Sequence, residues 1–187
     1  MKKSITWKGL NKLQTTEHCE LLLEEHRMIA SAVVEGTADG REVNFSYRIH
    51  TDANWRTLSV SVLNRIEGDF KQLVYTSDGA GNWFDAEGLE LSHFKGCIEI
   101  DIMLSPFTNS LPIKRLRMKL GESQRISVLY FDLLKFEVRR VEQIYTRLTD
   151  DRYKYENTEN DFKALIKFDG SGLVSSYPGL FEMTALQ

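Results

Sequence analysis

Two carboxylates stand first among the side chains in this sequence that could do chemistry. Glu99 and Asp101 are two residues apart in the stretch Gly96–Leu104, GCIEIDIML. There Ile98, Ile100, Ile102 and Leu104 fall on one face of a strand, and Cys97, Glu99, Asp101 and Met103 on the other. That spacing puts the two acids about 7 Å apart along one face, a separation used by carboxylate pairs that cleave glycosidic bonds. The simpler reading is an exposed face, or acids paired with Lys and Arg of neighbouring strands. It is preferred, so no catalytic residue is assigned. Should the fold enclose a cavity, Asp101 is the polar group best suited to fix a hydroxylated ligand. Aromatic residues are the second resource: Trp55, Trp83, Tyr130, Tyr145, Tyr153, Tyr155 and Tyr177. Their apolar bodies and polar edges suit sugars and lipid headgroups, and equally suit the boundary of a β core.

Other chemistries find little support. His18, His26, His50 and His93 are scattered without metal-site spacing, so no metal is expected. Gly79–Gly81 reads as part of a hairpin rather than a phosphate loop before a helix, there is no G-x-S-x-G elbow, and no cofactor is implied. Cys19 and Cys97 are far apart with no C-x-x-C, and read as reduced, buried thiols of a cytoplasmic protein. A formal charge of −3 over 187 residues gives no general attraction to nucleic acid. The basic residues from Lys114 to Lys119 are interrupted by Leu116 and Met118 and read as a solvated face. The N-terminal lysines have no apolar run behind them, so neither a secretory signal nor a membrane span is expected.

The elements that must position these residues are almost all strands. Cys19–Glu35 has the composition of a helix. Its apolar blocks, Leu21–Leu23 and Met28–Val34, are however split by the charged group Glu24–Arg27, which predicts two strands joined near His26. A turn follows at GTADG, and Val43, Phe45, Tyr47 and Ile49 then alternate cleanly. Trp55 is read as opening the next strand, in line with Thr57, Ser59 and Ser61 and opposite Leu58, Val60 and Val62. Asn64–Asp69 turns the chain into a strand over Phe70–Thr76. SDGAGNW is a hairpin loop delivering Trp83, and a short strand is expected over Glu90–His93. After Ser105-Pro106 a single helix is predicted, capped by Thr108, Asn109 or Ser110 with Pro112 in its first turn. Arg125–Val141 reads as one long strand, apolar on both faces and bulged near Arg139-Arg140. Tyr153 and Tyr155 share one face of a short strand, and Phe162, Ala164, Ile166 and Phe168 alternate before the turn DGSG. Residues 1–187 therefore read as one mainly-β domain with a single helix.

The central segment also carries a resemblance. Gly96, Cys97, Asp101, Pro106, Thr108, Asn109, Leu111, Pro112, Ile113, Arg115 and Leu116 give GC-x3-D-x4-P-x-TN-x-LPI-x-RL. This resembles the signature of a bacterial glycolipid-binding family of small proteins. The tail is similar as well, with Asp169, Gly172, Leu173, Val174, Tyr177, Pro178, Gly179 and Leu180 in D-x-x-GLV-x-x-YPGL. Trp55-Arg56, Trp83, Tyr145 and the pair Tyr153/Tyr155 also resemble family positions, while Ser105 stands where a threonine is common. The resemblance implies a many-stranded antiparallel sheet curled into a roll or half-barrel around one helix, commonly homodimeric. It is distantly similar to periplasmic lipoprotein carriers. It also implies a glycolipid or other amphiphile in the roll, with Trp55, Trp83, Asp101, Asn109, Arg115, Tyr145 and Tyr155 as ligand-binding candidates. The rival readings are a hydrolase of glycolipid or carbohydrate metabolism using Glu99 and Asp101, and an interaction dimer with no ligand.

Overall fold

The computed structural model describes residues 1–66 and 69–187. Seven strands run outward from the N-terminus as successive hairpins: β1 (Lys2–Gly9), β2 (Leu13–Leu23), β3 (Arg27–Ala38), β4 (Arg41–Asp52), β5 (Thr57–Ile66), β6 (Asp69–Ser77) and β7 (Trp83–Phe84). The chain then crosses to the far edge of the sheet as β8 (Glu99–Ile102). A 3-10 turn (Pro106–Asn109) leads directly into helix α1 (Ser110–Leu116). Six strands return: β9 (Ser123–Asp132), β10 (Glu137–Arg147), β11 (Arg152–Asn157), β12 (Lys163–Phe168), β13 (Val174–Tyr177) and β14 (Phe181–Leu186). Strand β14 pairs with β1, so both ends of the chain lie mid-sheet.

The spatial order is β7-β6-β5-β4-β3-β2-β1-β14-β13-β12-β11-β10-β9-β8, one mixed sheet that does not close into a barrel. Neighbouring strands are antiparallel except β8 and β9, which pair in parallel with Asp101 opposite Tyr130. Parallel neighbours need a crossover connection, and the segment carrying α1 supplies it. The two edges of the sheet approach each other through side chains. Asn64 Nδ2 donates to the Leu133 carbonyl (3.0 Å), and Trp83 Nε1 to the Cys97 carbonyl (2.8 Å). The Tyr75 and Phe131 rings meet at 6.0 Å. Gly96 N donates to the Gly81 carbonyl (2.8 Å), and a Cβ on Gly81 would come 2.9 Å from Gly96 Cα, so the crossing admits no side chain there. Inside the curl lies a core that includes Trp7, Phe45, Phe107 and Phe131, all at most 1% exposed. Phe107, from the 3-10 turn, sits 6.4 Å from the rings of both Trp7 and Tyr47. A second core under β10–β14 holds Tyr145, Tyr153, Tyr155 and Phe168.

The two strands expected over Cys19–Glu35 form, with the junction at Glu24–His26. Val43, Phe45, Tyr47 and Ile49 all point inward from β4. Several local readings are corrected. Arg125–Val141 is two strands, because Asp132 Oδ1 accepts the Lys135 amide (3.1 Å) and Phe136 takes a left-handed φ of 57°, turning the chain through Leu133–Phe136. Arg139 and Arg140 keep regular register with Tyr130 and Leu129, without a bulge. Trp55 lies in a turn with φ 65°, closed by Asp52 Oδ1 accepting the amides of Asn54 and Arg56 (2.9 Å each). Glu90 makes only an isolated bridge to Phe84, and Ser92–Phe94 is a 3-10 turn. Asn64 to Ile66 extend β5, and residues 67–68 of the expected turn lie outside the described residues. The basic segment is not simply solvated: Lys114 is partly buried, Arg115 pairs with Glu99, and Met118 is 1% exposed. Among the described residues no helix is long and apolar enough to cross a membrane.

Candidate functional site

Strand β8 is buried on both faces, so its two acids cannot rely on water. Ile100 and Ile102 enter the large core, while Glu99 and Asp101 face the crossover segment. Glu99 is fully buried and ion-paired to the guanidinium of Arg115, in the last turn of α1. Burial pushes its carboxyl above the ordinary value, and Arg115 pulls it back. Asp101 meets only neutral partners. Gln143 Nε2 of β10 donates to Oδ2 (2.6 Å), and Thr108 Oγ1 approaches Oδ1 (3.4 Å). Burial pushes the Asp101 carboxyl up to about 6.

Asp101 differs from Glu99 in one further respect: it lines a cleft of about 290 Å³. Met103, Leu104 and Ser105 continue that wall from the end of β8, and Asn109 adds to it. Tyr130 enters from β9, Tyr155 from β11 and Tyr177 from β13, with Asn157, Asn160 and Phe162 on the β11–β12 side. Leu13, Leu180 and Phe181 supply apolar wall, and Asp39 reaches it from the end of β3, ion-paired to Lys12 (3.6 Å). The Tyr155, Phe162 and Tyr177 rings contact one another at 6.0–6.4 Å and form a continuous aromatic wall. Burial raises the Tyr155 and Tyr177 hydroxyls, and the Asp101 charge raises them further. Asn109 occupies the cap position of α1 but does not cap it. Its Nδ2 donates to the Tyr145 hydroxyl instead (2.9 Å).

Of the seven candidates read from the sequence, Asp101, Asn109 and Tyr155 meet on the cleft wall, with Tyr145 behind Asn109. The other three lie elsewhere. Trp55 sits under Lys114, whose ammonium is 5.0 Å from the ring centroid. Trp83 is fully buried with its N–H committed to Cys97. Arg115 is occupied by Glu99. Glu99 is not on the wall, so the acid pair cannot flank one glycosidic bond in this cleft.

Sequence reasoning passed over Gln143 and read Thr108 only as a helix cap and signature residue; the partners of both are visible only in three dimensions. It also passed over Glu17, which lies just before the stretch Cys19–Glu35 read as two strands. Glu17 is 2% exposed; Tyr47 OH (2.5 Å) and Ser105 Oγ (2.8 Å) both donate to its Oε1, and burial pushes its carboxyl to about 7. Tyr177 was signalled by its place in the YPGL motif, and Tyr130 only as one of the aromatic residues. Among the described residues no group of three or more His, Cys, Asp and Glu could hold a metal ion.

These features define a curled β roll with one internal helix, whose leading turn helps wall an acidic, tyrosine-lined cleft. The chain belongs to the family described as "Putative glycolipid-binding", whose model matches residues 4–183. Its structure is similar to the crystal structure, at 1.80 Å resolution, of a DUF1089 family protein from Pseudomonas aeruginosa. The two chains share 37% sequence identity and superpose with a TM-score of 0.80, over 90% of this chain and 91% of that one. No curated protein matches the chain.

Proposed function

We propose that this protein binds an amphiphile with a hydroxylated headgroup, a glycolipid in the simplest case, and holds the headgroup in the cleft around Asp101. The observation that carries this reading is a deeply buried carboxyl, held by neutral donors alone, opening onto a cleft walled by tyrosines and asparagines. Carboxylate and amide groups match the hydroxyls of a sugar, and aromatic rings pack on its C–H faces. The volume is at the lower end for ligand sites and suits one headgroup rather than a whole lipid. Phe107, Trp7 and Tyr47 fill the middle of the roll, so the hydrocarbon part runs outward past Leu13, Phe162 and Leu180. Binding is favoured over hydrolysis because Glu99 is held by Arg115 away from the cleft.

The family description supports a glycolipid as ligand. The two buried free thiols suit a cytoplasmic setting, and Val33, Leu63 and Phe70, exposed on β3, β5 and β6, suit burial in a homodimer. The test is native mass spectrometry of the purified protein, followed by organic extraction and lipid analysis. A carried glycolipid, lost in Asp101→Ala, supports the proposal. Retention of the same lipid by a folded Asp101→Ala variant refutes this seat for it.

A further inference from the structure

Every charged side chain on the cleft wall is an acid. Asp101 and Asp39 are there, and no Lys, Arg or His joins them. The nearest cations are engaged elsewhere. Arg115 holds Glu99, Arg139 lies over the Tyr130 ring and pairs with Glu159, and Lys12 meets Asp39 with its side chain 86% exposed. Asp39 is thus answered by protein, and Asp101 is not. Gln143 and Thr108 offer it neutral dipoles only. Buried charges in proteins are normally paired or neutralised; burial pushes the Asp101 carboxyl up to about 6, and a cation placed against it would favour its ionised form.

Beside it stands a wall of aromatic faces, Tyr155, Phe162 and Tyr177, while the ring of Tyr130, on β9, is already covered by the Arg139 guanidinium, 5.1 Å from its centroid. Ring faces attract cations within about 6 Å of the centroid, and aromatic walls are a known device for ammonium recognition. An anionic headgroup would meet the Asp101 carboxylate, which no cation answers, and no Lys, Arg or His on the wall. A cation would meet a carboxylate and several electron-rich faces.

Resting on the binding proposal above, we infer that the headgroup this cleft selects carries an ammonium group, which would sit against Asp101 and the Tyr155–Phe162–Tyr177 wall. The ligand class is then an aminated or quaternary-ammonium headgroup, rather than a phosphorylated, sulfated or purely neutral one. The carboxylate must be ionised to contribute, so affinity for a permanent cation falls below pH 6. The tyrosines around Asp101 (130, 145, 155 and 177) are all raised and do not titrate in this range. The other acids nearby are Glu99 against Arg115, Glu17 behind Ser105, and Asp39 against Lys12.

The experiment is an NMR titration of the full chain with glucosamine, glucose and choline, repeated with Asp101→Asn. The side chain of Gln143 can reverse its amide to bond the new Asn, so this variant is expected to stay folded; its amide spectrum checks that. Glucosamine should bind at least tenfold tighter than glucose, and choline should bind measurably. Choline affinity should drop about tenfold from pH 7 to pH 5, and both effects should vanish in Asp101→Asn. Equal binding of glucosamine and glucose overturns the inference while leaving a sugar-binding site intact. Binding of choline and glucosamine together with failure of glucose upholds it and refutes the neutral-glycan reading. Failure of all three probes at millimolar concentration, or an ammonium preference that persists in folded Asp101→Asn, overturns it.

Discussion

Replacing Arg115 by Met separates the two acids of β8 most sharply. The guanidinium is 20% exposed and its partner carboxylate 1% exposed, and a second oxygen of Glu99, Oε2, already lacks a hydrogen-bond partner. Removing one member of a buried pair leaves an uncompensated charge, a loss of about 3–5 kcal/mol. The partial exposure of Arg115 places this case near about 3 kcal/mol. For a chain of this size that corresponds to roughly 6–12 °C in Tm. The loss depends on pH with a definite sign. Without Arg115 the folded-state proton affinity of Glu99 rises further above its unfolded value. The folded state then binds more protons, and stability falls as pH climbs from 4.5 through the raised value. Urea unfolding followed by tryptophan fluorescence reads this directly, since Trp7 and Trp83 are fully buried. At pH 7 the variant should lose about 3 kcal/mol, at pH 5 less than about half of that, and adding Glu99→Gln should restore most of it. A loss under about 1 kcal/mol at pH 7, or one independent of pH, would show that Glu99 is not a buried charge held by Arg115.

Three other outcomes follow from the same physics. The carboxyl of Glu17 rises from 4.5 to about 7 on folding, equivalent to about 3 kcal/mol. Wild-type stability should therefore fall between pH 4.5 and pH 7, and Glu17→Gln should flatten that slope in urea titrations across the range. Trp83→Phe removes the N–H bonded to the Cys97 carbonyl and should cost about 1–3 kcal/mol, measured by the same unfolding, while leaving the cleft's ligand affinity unchanged. Cys19 and Cys97 are buried, with burial pushing Cys97 to about 11 and Cys19 well above its ordinary value; an aromatic disulfide reagent should label neither in the folded protein and both in urea.

Much of the roll was legible because most strands have one covered face. Val43–Ile49, Tyr153/Tyr155 and Ile166/Phe168 alternate for that reason, and each pair or run is buried as the alternation requires. Legibility fails where both faces are covered. In Arg125–Val141 apolar residues appear at every phase, and the turn inside contains neither Gly nor Pro. It is made by Asp132 holding the Lys135 amide and by a left-handed Phe136. Trp55 and Trp83 drew attention as large amphipathic side chains, yet one lies under the Lys114 ammonium and the other ties the two edges of the sheet together. The cleft was partly readable through Asp101, Asn109 and Tyr155. Its remaining walls come from β9 and β13, remote in sequence and brought in only by the parallel pairing of β8 with β9 and the return of the sheet.

The different fates of Glu99 and Asp101 follow from the segment that crosses them. The strand runs from 99 to 101 while the connection runs back from Thr108 to Arg115, so Asp101 meets its beginning and Glu99 its end. Two strand residues span about 7 Å, and the seven residues of α1 rise about 10 Å. A helix of that length can set its last turn beside one acid while its first turn lies beside the other. Its basic residues, Lys114 and Arg115, fall in the last turn, where they also complement the helix dipole. The leading turn, Pro106–Asn109, contains no charge, and so Asp101 is met only by a hydroxyl and, from β10, an amide. Moving the cation from 115 toward 108 would neutralise the cleft and leave Glu99 buried alone. The short helix thus fixes which carboxylate is paired with a cation and which one opens onto the cleft without one.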